Sequence, residues 1–359
     1  MKYLIYCGPG IGDWILILPM ARRIKESDKN AFIMAMVRSD SKRIALTKEL
    51  LKLQSYIDDV DYYSSNDIKH DLKFLVKMGI KKYDYGFVLQ YTDSKSTSEW
   101  PGKIVNMAAK KSCGIKLSYK PKVKYDYEIF REDGIRIVDY PMIMLDKVGI
   151  GKKADYTQDE LLNKELLLKV AEKLDIPSND GKPIALVLGT APVSGIIDGV
   201  RYSNQAKNWP YENWLSLAAK FVERGYKVLL LGGKKELQEL EEVCDLSKLP
   251  SNIINLAGKC NITESMAAIL KTQITIGADT GLMHCAGALG VYALTLFGCT
   301  DYREYLAYGK HSYYIKADCK CAPCFGTDKS LRCSTYKCMK ELEVEKVFDY
   351  AMSLLSFRN

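Results

Sequence analysis

The sequence predicts an α/β protein built from two doubly wound, Rossmann-like domains in tandem. The chain has 359 residues, a length that suits two ordinary domains. Short apolar runs alternate with amphipathic stretches, which is the pattern of parallel βαβ units. Proline, glycine, serine and asparagine cluster at 175–183 and interrupt that alternation. We therefore expect domains over 1–178 and 182–340, with a C-terminal helix over 341–359 that packs back across them.

The first half contains three apolar runs that we predict as buried strands. They begin at Tyr3 (YLIYC), Ala31 (AFIMAMV) and Tyr85 (YGFVLQ). The apolar residues between Asp13 and Lys25 recur at helical spacing, so a helix is predicted there.

The second half repeats this pattern. Strands are predicted at PIALVLG, YKVLLLGG, QITIGAD and YALTLFG, and helices at 211–224, 235–244, 263–270 and 281–289. Ligands of open α/β sheets bind at the carboxyl ends of the strands. We therefore expect a ligand site in a cleft between the two sheets.

The composition and charge exclude several classes of protein. Apolar residues make up 47% and charged residues 27%, which excludes wholesale disorder. No apolar run approaches the ~18–20 residues that span a bilayer, and GPGIGD interrupts what could resemble a signal peptide. A cytoplasmic chain with reduced thiols is expected. The net charge of +8 favours anionic partners, including phosphates or an acidic membrane surface, and is too small to indicate nucleic-acid binding.

A glycine turn, GPGIGD, follows the first predicted strand and opens a helix. Backbone amides near Gly10 and Gly12 could bind an anion or a polar ligand there. A dinucleotide fingerprint would need glycine where Asp13 stands, and a carboxylate at that place repels a pyrophosphate. Asp13 has three possible roles at this stage: a helix cap, a solvated loop residue, or a general base. Considered alone, the residue favours the cap, and its place at a strand's carboxyl end favours the base.

Three features of the second half occur in the order that a nucleotide-diphosphate site needs. Lys207 lies in AKNWP before a helix and can neutralise phosphate as a point charge. Glu236 follows a strand and two glycines, where a carboxylate can accept hydrogen bonds from ribose hydroxyls. Asp279, Thr280 and Gly281 open a helix whose amides and dipole favour anionic oxygens.

Together these motifs resemble glycosyltransferase family 9, the heptosyltransferases of lipopolysaccharide core synthesis and their relatives. The resemblance rests on GIGDxxxxxP, KxWP, GGxxE, LAGKxxxxE, DTGLMHxAxALG and LFGxTD, in family order along nearly the whole chain. It implies a GT-B fold, with an N-terminal acceptor domain and a C-terminal nucleotide-sugar domain facing across a cleft. It also implies an inverting transfer from an ADP-activated heptose, without a metal or another cofactor.

The resemblance further implies the roles of individual residues. Asp13 would be the catalytic base, Lys207 would bind and stabilise the donor phosphates, and Glu236 would bind ribose. The LAGKCN turn would lie along the nucleobase. His284 is more simply explained as a packed residue, and we place it behind the side chains that contact the donor. The expected donor set is Thr190, Lys207, Glu236, Lys259, Cys260, Asp279, Thr280, Gly281 and His284, with Gly10 and Gly12 in the acceptor-side turn.

Two segments depart from the family pattern. The stretch 192–205 is longer than usual and is either a lid over the donor, with Arg201 available for phosphate, or a surface excursion. Five cysteines fall between Cys319 and Cys338. A structural zinc site would use Cys321, Cys324, Cys333 and Cys338, and free thiols are the favoured alternative.

The leading hypothesis is an inverting glycosyltransferase at the inner face of the cytoplasmic membrane, acting on a glycolipid or glycan acceptor. One alternative is a transferase of another nucleotide sugar onto a different glycan or a protein. A nicotinamide-dependent oxidoreductase and a catalytically silent scaffold are the other two. Asp13 in the glycine turn opposes the oxidoreductase, and the presence of both Asp13 and Lys207 opposes the scaffold.

Overall fold

A computed structural model describes residues 1–8, 10–38, 47–63, 68–91, 98–116, 122–132, 134–151, 161–174, 176, 181, 183–190, 195–197, 200–202, 204–325, 327–331 and 333–357. The chain divides into two compact units, Met1–Asn163 and Lys164–Asn359. None of the described helices is both long enough and apolar enough to cross a membrane.

The first unit is built on a six-stranded parallel sheet with the order β3-β2-β1-β4-β5-β6. Its strands are β1 (Lys2–Cys7), β2 (Phe32–Arg38), β3 (Asp59–Tyr63), β4 (Tyr83–Val88), β5 (Ala109–Ile115) and β6 (Tyr127–Ile129). Its helices are α1 (Ile11–Ser27), α2 (Ile68–Met78), α3 (Trp100–Ala108) and α4 (Tyr140–Val148), with a 3₁₀ turn at Ile137–Asp139.

The second unit contains another six-stranded parallel sheet, with the order β11-β10-β7-β12-β13-β14. Its strands are β7 (Ile184–Val187), β8 (Gly195–Ile197), β9 (Val200–Tyr202), β10 (Val228–Leu231), β11 (Ile253–Asn255), β12 (Ile274–Ala278), β13 (Tyr292–Phe297) and β14 (Ser312–Lys316), of which β8 and β9 form a separate antiparallel hairpin. Its α-helices are α5 (Lys164–Ala171), α6 (Tyr211–Glu223), α7 (Lys234–Val243), α8 (Ile262–Leu270), α9 (Gly281–Ala288), α10 (Tyr302–Tyr305), α11 (Asp328–Leu331), α12 (Lys337–Lys340) and α13 (Val344–Ser356). Short 3₁₀ turns lie at Asn204–Lys207 and Leu246–Lys248.

Both six-stranded sheets have the same order when their strands are numbered in chain order within each sheet. That order, 3-2-1-4-5-6, is the doubly wound arrangement. Central strands such as β7 (IALV) and β10 (VLLL) are buried along their whole length, as expected for parallel strands covered by helices on both faces. The predicted fold class, α/β with two Rossmann-like units, is confirmed.

The boundary between the units differs from the predicted one. Helix α5 packs against α8 and belongs to the second unit, so the division lies between Asn163 and Lys164 rather than at 178–182. The C-terminal helix α13 packs on α6, where the rings of Phe348 and Phe221 lie 5.1 Å apart. Packing of α13 across both domains stays a prediction.

Candidate functional site

The glycine turn of the first unit is shaped around the carboxylate of Asp13. Strand β1 ends at Cys7 and α1 begins at Ile11, so Asp13 is the third residue of the helix. Its Oδ2 accepts the Gly10 N–H at 3.0 Å, the contact expected of a helix cap. A Cβ atom at Gly8 would overlap this carboxylate, so the turn needs glycine there. Gly12, the other predicted residue, lies in the first turn of α1.

Two buried groups next to Asp13 stay protonated. Burial raises the pKa of the Cys7 thiol and of the Tyr91 hydroxyl, and the charge of Asp13 raises both further. Neither the thiol nor the hydroxyl is therefore an anion that could act as a base at neutral pH. The Tyr91 hydroxyl is buried and makes no hydrogen bond to any residue that the structure describes. Tyr91 follows β4, beside β1, and sequence reasoning missed it because it belongs to no recognisable motif.

In the second unit, the KNWP motif joins the core to the site. Trp209 is buried, and its Nε1 donates to the carbonyl of Leu342 at 2.9 Å. Asn208 Oδ1 accepts a hydrogen bond of 2.8 Å from the Thr190 hydroxyl, just beyond the end of β7. These two contacts hold Asn208 and Trp209, the two residues that follow Lys207, and thereby position the backbone of Lys207. Asn208 is a second residue that sequence reasoning missed.

Lys207 is held by one carboxylate and two aromatic rings. Its Nζ lies 2.8 Å from Asp279 Oδ2, and the two side chains are only 12% and 5% exposed. The same Nζ lies 4.3 Å from the ring centre of Phe325 and 5.8 Å from that of Tyr305. An ammonium group has three donor hydrogens, and Asp279 accepts one of them. Asp279, Phe325 and Tyr305 thus form a cage that positions the positive charge of Lys207, and burial strengthens the electrostatic effect of that charge.

The DTG segment follows β12 and starts a helix. Asp279 is buried, Thr280 is the N-cap residue, and α9 begins at Gly281. His284 is buried within α9, and burial lowers the pKa of its imidazole; the nearby Asp279 raises that pKa and Lys207 lowers it. Its Nδ1 has no hydrogen-bond partner among the described residues. His284 is therefore a neutral side chain that lies beside the Lys207–Asp279 pair.

Glu236 is surrounded by glycines at the end of β10. It is buried, and its Oε2 accepts the Gly233 N–H at 2.8 Å, an arrangement similar to that of Asp13 and Gly10. A Cβ atom at Gly189 or Gly232 would come within 2.6 Å of the Glu236 side chain. These glycines therefore leave the space that the carboxylate occupies.

A backbone hydrogen bond holds the LAGKCN turn beside the glycines that precede Glu236. The Gly258 N–H donates to the Gly232 carbonyl at 2.9 Å, and Gly258 has a φ of +72°, which favours glycine. Lys259 is exposed, whereas Cys260 is half-buried, and burial raises the pKa of its thiol. The structure thus brings the predicted donor residues to one edge of the second sheet. Most of them follow the neighbouring strands β11, β10, β7 and β12, whereas Lys207 follows the β8–β9 hairpin and reaches this edge through its ion pair with Asp279.

The cysteine-rich segment contacts this site without forming the predicted zinc centre. The carbonyl of Cys299 accepts the N–H groups of Cys324 and Phe325, at 2.8 and 2.9 Å, and this contact places the Phe325 ring near Lys207. Within the described residues, no group of three or more His, Cys, Asp or Glu side chains is arranged to hold a metal. All eleven cysteines are free thiols. The sequence offered no signal for Phe325, because its partner Lys207 is remote in the chain.

Individual cysteines of the predicted zinc set occupy different environments. Cys321 is exposed, Cys324 and Cys333 are half-buried, and Cys338 is buried in the core. Cys338 packs with Met339 against Gly298, at the end of β13, where a Cβ atom would lie 2.5 Å from the Met339 sulfur. Cys338 and Met339 are therefore part of the hydrophobic core of the second unit.

The stretch 192–205 contains the hairpin β8–β9, and β9 contacts α11. Its remaining residues at 192–194, 198, 199 and 203, and the side chain of Arg201, lie outside the described residues. Neither of its two predicted roles is tested.

Comparison with known proteins agrees with this arrangement. The model of "Glycosyltransferase family 9 (heptosyltransferase)" matches residues 118–335, more than half of the chain. The chain belongs to glycosyltransferase family 9. The matched region contains the whole predicted donor set, whereas Asp13 lies before it.

One curated protein to which this chain is similar is the lipooligosaccharide heptosyltransferase 2 of Haemophilus influenzae. That protein is 31% identical over 171 residues, which are 45% of this chain and 48% of the relative. The chain thus matches about half the length of this curated relative. Among solved structures, Escherichia coli ADP-heptose lps heptosyltransferase II has a TM-score of 0.73 and 18% identity, covering 100% of this chain and 99% of that one. Escherichia coli heptosyltransferase WaaC with ADP has a TM-score of 0.72 and 15% identity, with coverage of 99% and 100%. These likenesses confirm the GT-B fold.

Proposed function

We propose that this chain is an inverting glycosyltransferase that moves heptose from ADP-heptose onto a hydroxyl of a lipopolysaccharide-core-like acceptor. The main support is the Lys207–Asp279 pair at the start of α9, at the same sheet edge as Glu236. A cation, helix amides and a buried carboxylate along neighbouring strands suit a diphosphate joined to a ribose. The names of the relatives, which include heptosyltransferases and a complex with ADP, support the sugar and the nucleotide.

On the donor side, Lys207 and the amides of Thr280 and Gly281 stabilise the charge that develops on the departing diphosphate. Removing one such preorganised donor typically costs ~2.7–4 kcal/mol of transition-state stabilisation. Asp279 acts through Lys207, because a carboxylate in direct contact with the diphosphate would repel it. Glu236 binds the ribose hydroxyls.

Two further parts of the second unit complete the proposed donor site. The turn with Lys259 and Cys260 lies along the base, and Thr190 lines the end of β7. His284 supports the pair from behind as a neutral side chain.

On the acceptor side, Asp13 is the catalytic base. It takes the proton of the acceptor hydroxyl as that oxygen attacks the anomeric carbon, opposite the bond to the leaving diphosphate. Configuration at the anomeric carbon inverts as a result. General base catalysis of this kind contributes roughly 10²–10⁴-fold. The protonated neighbours Cys7 and Tyr91 support the assignment of Asp13 as the acceptor of that proton.

The proposed transfer needs no metal or organic cofactor, because Lys207 and the backbone amides supply the positive potential. We place the enzyme in the cytoplasm, where its eleven free thiols stay reduced, with peripheral contact to the inner membrane that holds a glycolipid acceptor. The net charge of +8 suits an anionic acceptor and membrane. No nucleic-acid partner is proposed.

A thermal-shift panel of ADP, UDP, GDP and NAD tests the donor. A ligand that binds only the folded state raises its stability by mass action. We expect a selective response to ADP, which Lys207→Met abolishes. Lys220→Met is the matched control, because Lys220 pairs with Glu345 at 2.8 Å on the exposed face of α6. A response to UDP or GDP alone would indicate another nucleotide sugar, and a response to NAD alone would contradict the transferase.

Transfer itself is tested with ADP-heptose and a deep-rough lipopolysaccharide acceptor, in buffer with a chelator. Retention of the anomeric configuration in the product, read by NMR coupling constants, would contradict the inverting mechanism.

A further inference from the structure

A four-residue repeat lies in the first unit, away from the motifs of the proposed reaction. An apolar residue followed by lysine occurs four times, as Ile68-Lys69, Leu72-Lys73, Val76-Lys77 and Ile80-Lys81. Residues four apart lie on one face of a helix, so within α2 the repeat places apolar residues beside a row of lysines. Ile80 and Lys81 follow just after the end of the helix at Met78. The stretch 68–82 holds five lysines and one aspartate, Asp71.

Three apolar residues of this repeat lie on the outside of the protein. Helix α2 buries Phe74 and Met78 in the core of the first unit. Leu72, Val76 and Ile80 are instead 63%, 76% and 80% exposed. Apart from Phe357, they are the most exposed large apolar side chains among the described residues.

The helix is anchored, so its outer face is presented in a defined orientation. The ring of His70 stacks on Tyr62 of β3 at 4.0 Å. Lys77 Nζ lies 2.6 Å from Asp61 Oδ2 on the same strand. Lys81 Nζ donates to two backbone carbonyls, including that of Ala109 at 2.7 Å.

The two lysines at the start of the row have a different environment. Lys69 and Lys73 are exposed and form no ion pair with a described residue. Their charge remains directed toward solvent, beside Leu72 and Val76.

We propose that the α2 face, defined as Lys69, Leu72, Lys73, Val76 and Ile80, docks on the surface of an anionic lipid bilayer. Helix α2 lies in the plane of the interface. The three apolar side chains enter the boundary between headgroups and acyl chains, and the lysines contact lipid phosphates.

The shape and charge of the face favour a bilayer over a protein partner. The apolar row is one residue wide, whereas a stable protein interface buries ~800 Å² on each side. A second copy of this chain would bring like-charged lysines together. Negatively charged headgroups complement Lys69 and Lys73, whose charges face solvent. The proposal rests on the peripheral membrane contact in the proposed function, concerns the first unit alone and does not depend on the identity of the donor.

Vesicle co-sedimentation of the full chain tests the proposal. We expect binding to vesicles of phosphatidylcholine with phosphatidylglycerol, and much weaker binding to phosphatidylcholine alone. The variant L72Q/V76Q/I80Q should lower the partition coefficient at least tenfold. The variant K69Q/K73Q should lower it by about fivefold per lysine at low salt, and by less at high salt.

Matched controls separate the α2 face from general surface effects. Leu168 and Val243 are exposed apolar residues on helices of the second unit, at 41% and 38%. The variant L168Q/V243Q should bind vesicles as the wild type does. Tryptophan fluorescence of V76W gives a second readout, since insertion shifts the emission to the blue on anionic vesicles only.

Three results would overturn the proposal. Wild type could bind both kinds of vesicle equally, or L72Q/V76Q/I80Q could bind as wild type does. Light scattering could also reveal a wild-type dimer that L72Q/V76Q/I80Q dissociates, which would assign the face to a second copy. The thermal shift with ADP should be unchanged in the α2 variants, so failure here is distinct from failure of the proposed reaction.

Discussion

The carboxylate of Asp13 has a structural contact and a proposed chemical role, and the two can be separated. One oxygen, Oδ2, accepts the Gly10 N–H, which a neutral amide oxygen can do equally well. Proton abstraction needs the negative charge. An amide therefore preserves the first function and removes the second.

Asp13→Asn should lower kcat by roughly 10²–10⁴-fold with little change in melting temperature. Asp13→Ala also removes the cap and should cost about 1 kcal/mol of stability in addition. Steady-state transfer assays and thermal melts of both variants are the measurements. Near-normal turnover by Asp13→Asn would remove Asp13 from the mechanism.

The cage around Lys207 predicts a role for a ring that no motif contains. Phe325→Leu keeps the apolar volume but removes the aromatic face, which attracts a cation by ~1 kcal/mol. We expect about a fivefold rise in the donor KM, with kcat changed less. Phe325→Tyr should restore the wild-type KM, because it keeps the ring. Equal values of KM for Phe325→Leu and wild type would show that the ring does not position Lys207.

His284 predicts a pH dependence of stability. Its folded-state pKa is lowered by burial, so below the unfolded-state pKa of about 6.5 the unfolded chain binds a proton that the native state does not. The contribution of His284 to the free energy of unfolding is thus fully present above that pH. It is lost as the solution becomes more acidic, by up to ~1.4 kcal/mol per pH unit. His284→Gln should lose less stability than wild type between pH 7 and pH 5. Denaturant melts at the two pH values measure the difference, and parallel losses would contradict it.

At the scale of elements, helix α12 contributes Cys338 and Met339 to the hydrophobic core of the second unit. Met339 is fully buried and fills the space above Gly298, whereas Cys321 is exposed. Met339→Ala should therefore cost about 2–5 kcal/mol in the free energy of unfolding. Cys321→Ser should leave it unchanged, whether or not a chelator is present. A large loss with Cys321→Ser that zinc reverses would indicate a metal site after all.

The sequence predicted those elements that bury continuous apolar runs. Strands β1, β2, β4, β7, β10, β12 and β13 and the helices that begin at Ile11, Tyr211, Lys234, Ile262 and Gly281 were all expected within a few residues. Strand β5 was not, because its lysines interrupt the apolar pattern (AKKSCGI), and β3 was not, because aspartates alternate along it (DVDYY). Pairing with neighbouring strands overrides these weak local preferences.

The same limit applies to the candidate site. Glycines and charged residues at strand ends identified Asp13, Lys207 and Glu236, because their chemistry is visible in the motif itself. Phe325 and Tyr91 contact residues from distant parts of the chain, namely Lys207 and Tyr140, and one sequence does not reveal such contacts. The spacing of the thiols likewise does not show that Cys338 faces the core.

For the whole molecule, the strand order 3-2-1-4-5-6 occurs twice, each time with its own buried core. The sequence predicted this duplication because both halves alternate strands and helices in the same way. The predicted boundary lies after the division between the two compact units. The reason is that α5 precedes the glycine- and proline-rich cluster but packs with the second unit.

The division at Asn163 and Lys164 has a consequence for how such enzymes diversify. The predicted donor residues all lie after it, and Asp13 and the α2 face lie before it. Mutations that remodel the proposed acceptor half can therefore accumulate without disturbing the proposed nucleotide site. Under the proposed function, new acceptor specificities can therefore evolve while the specificity for the sugar donor stays the same.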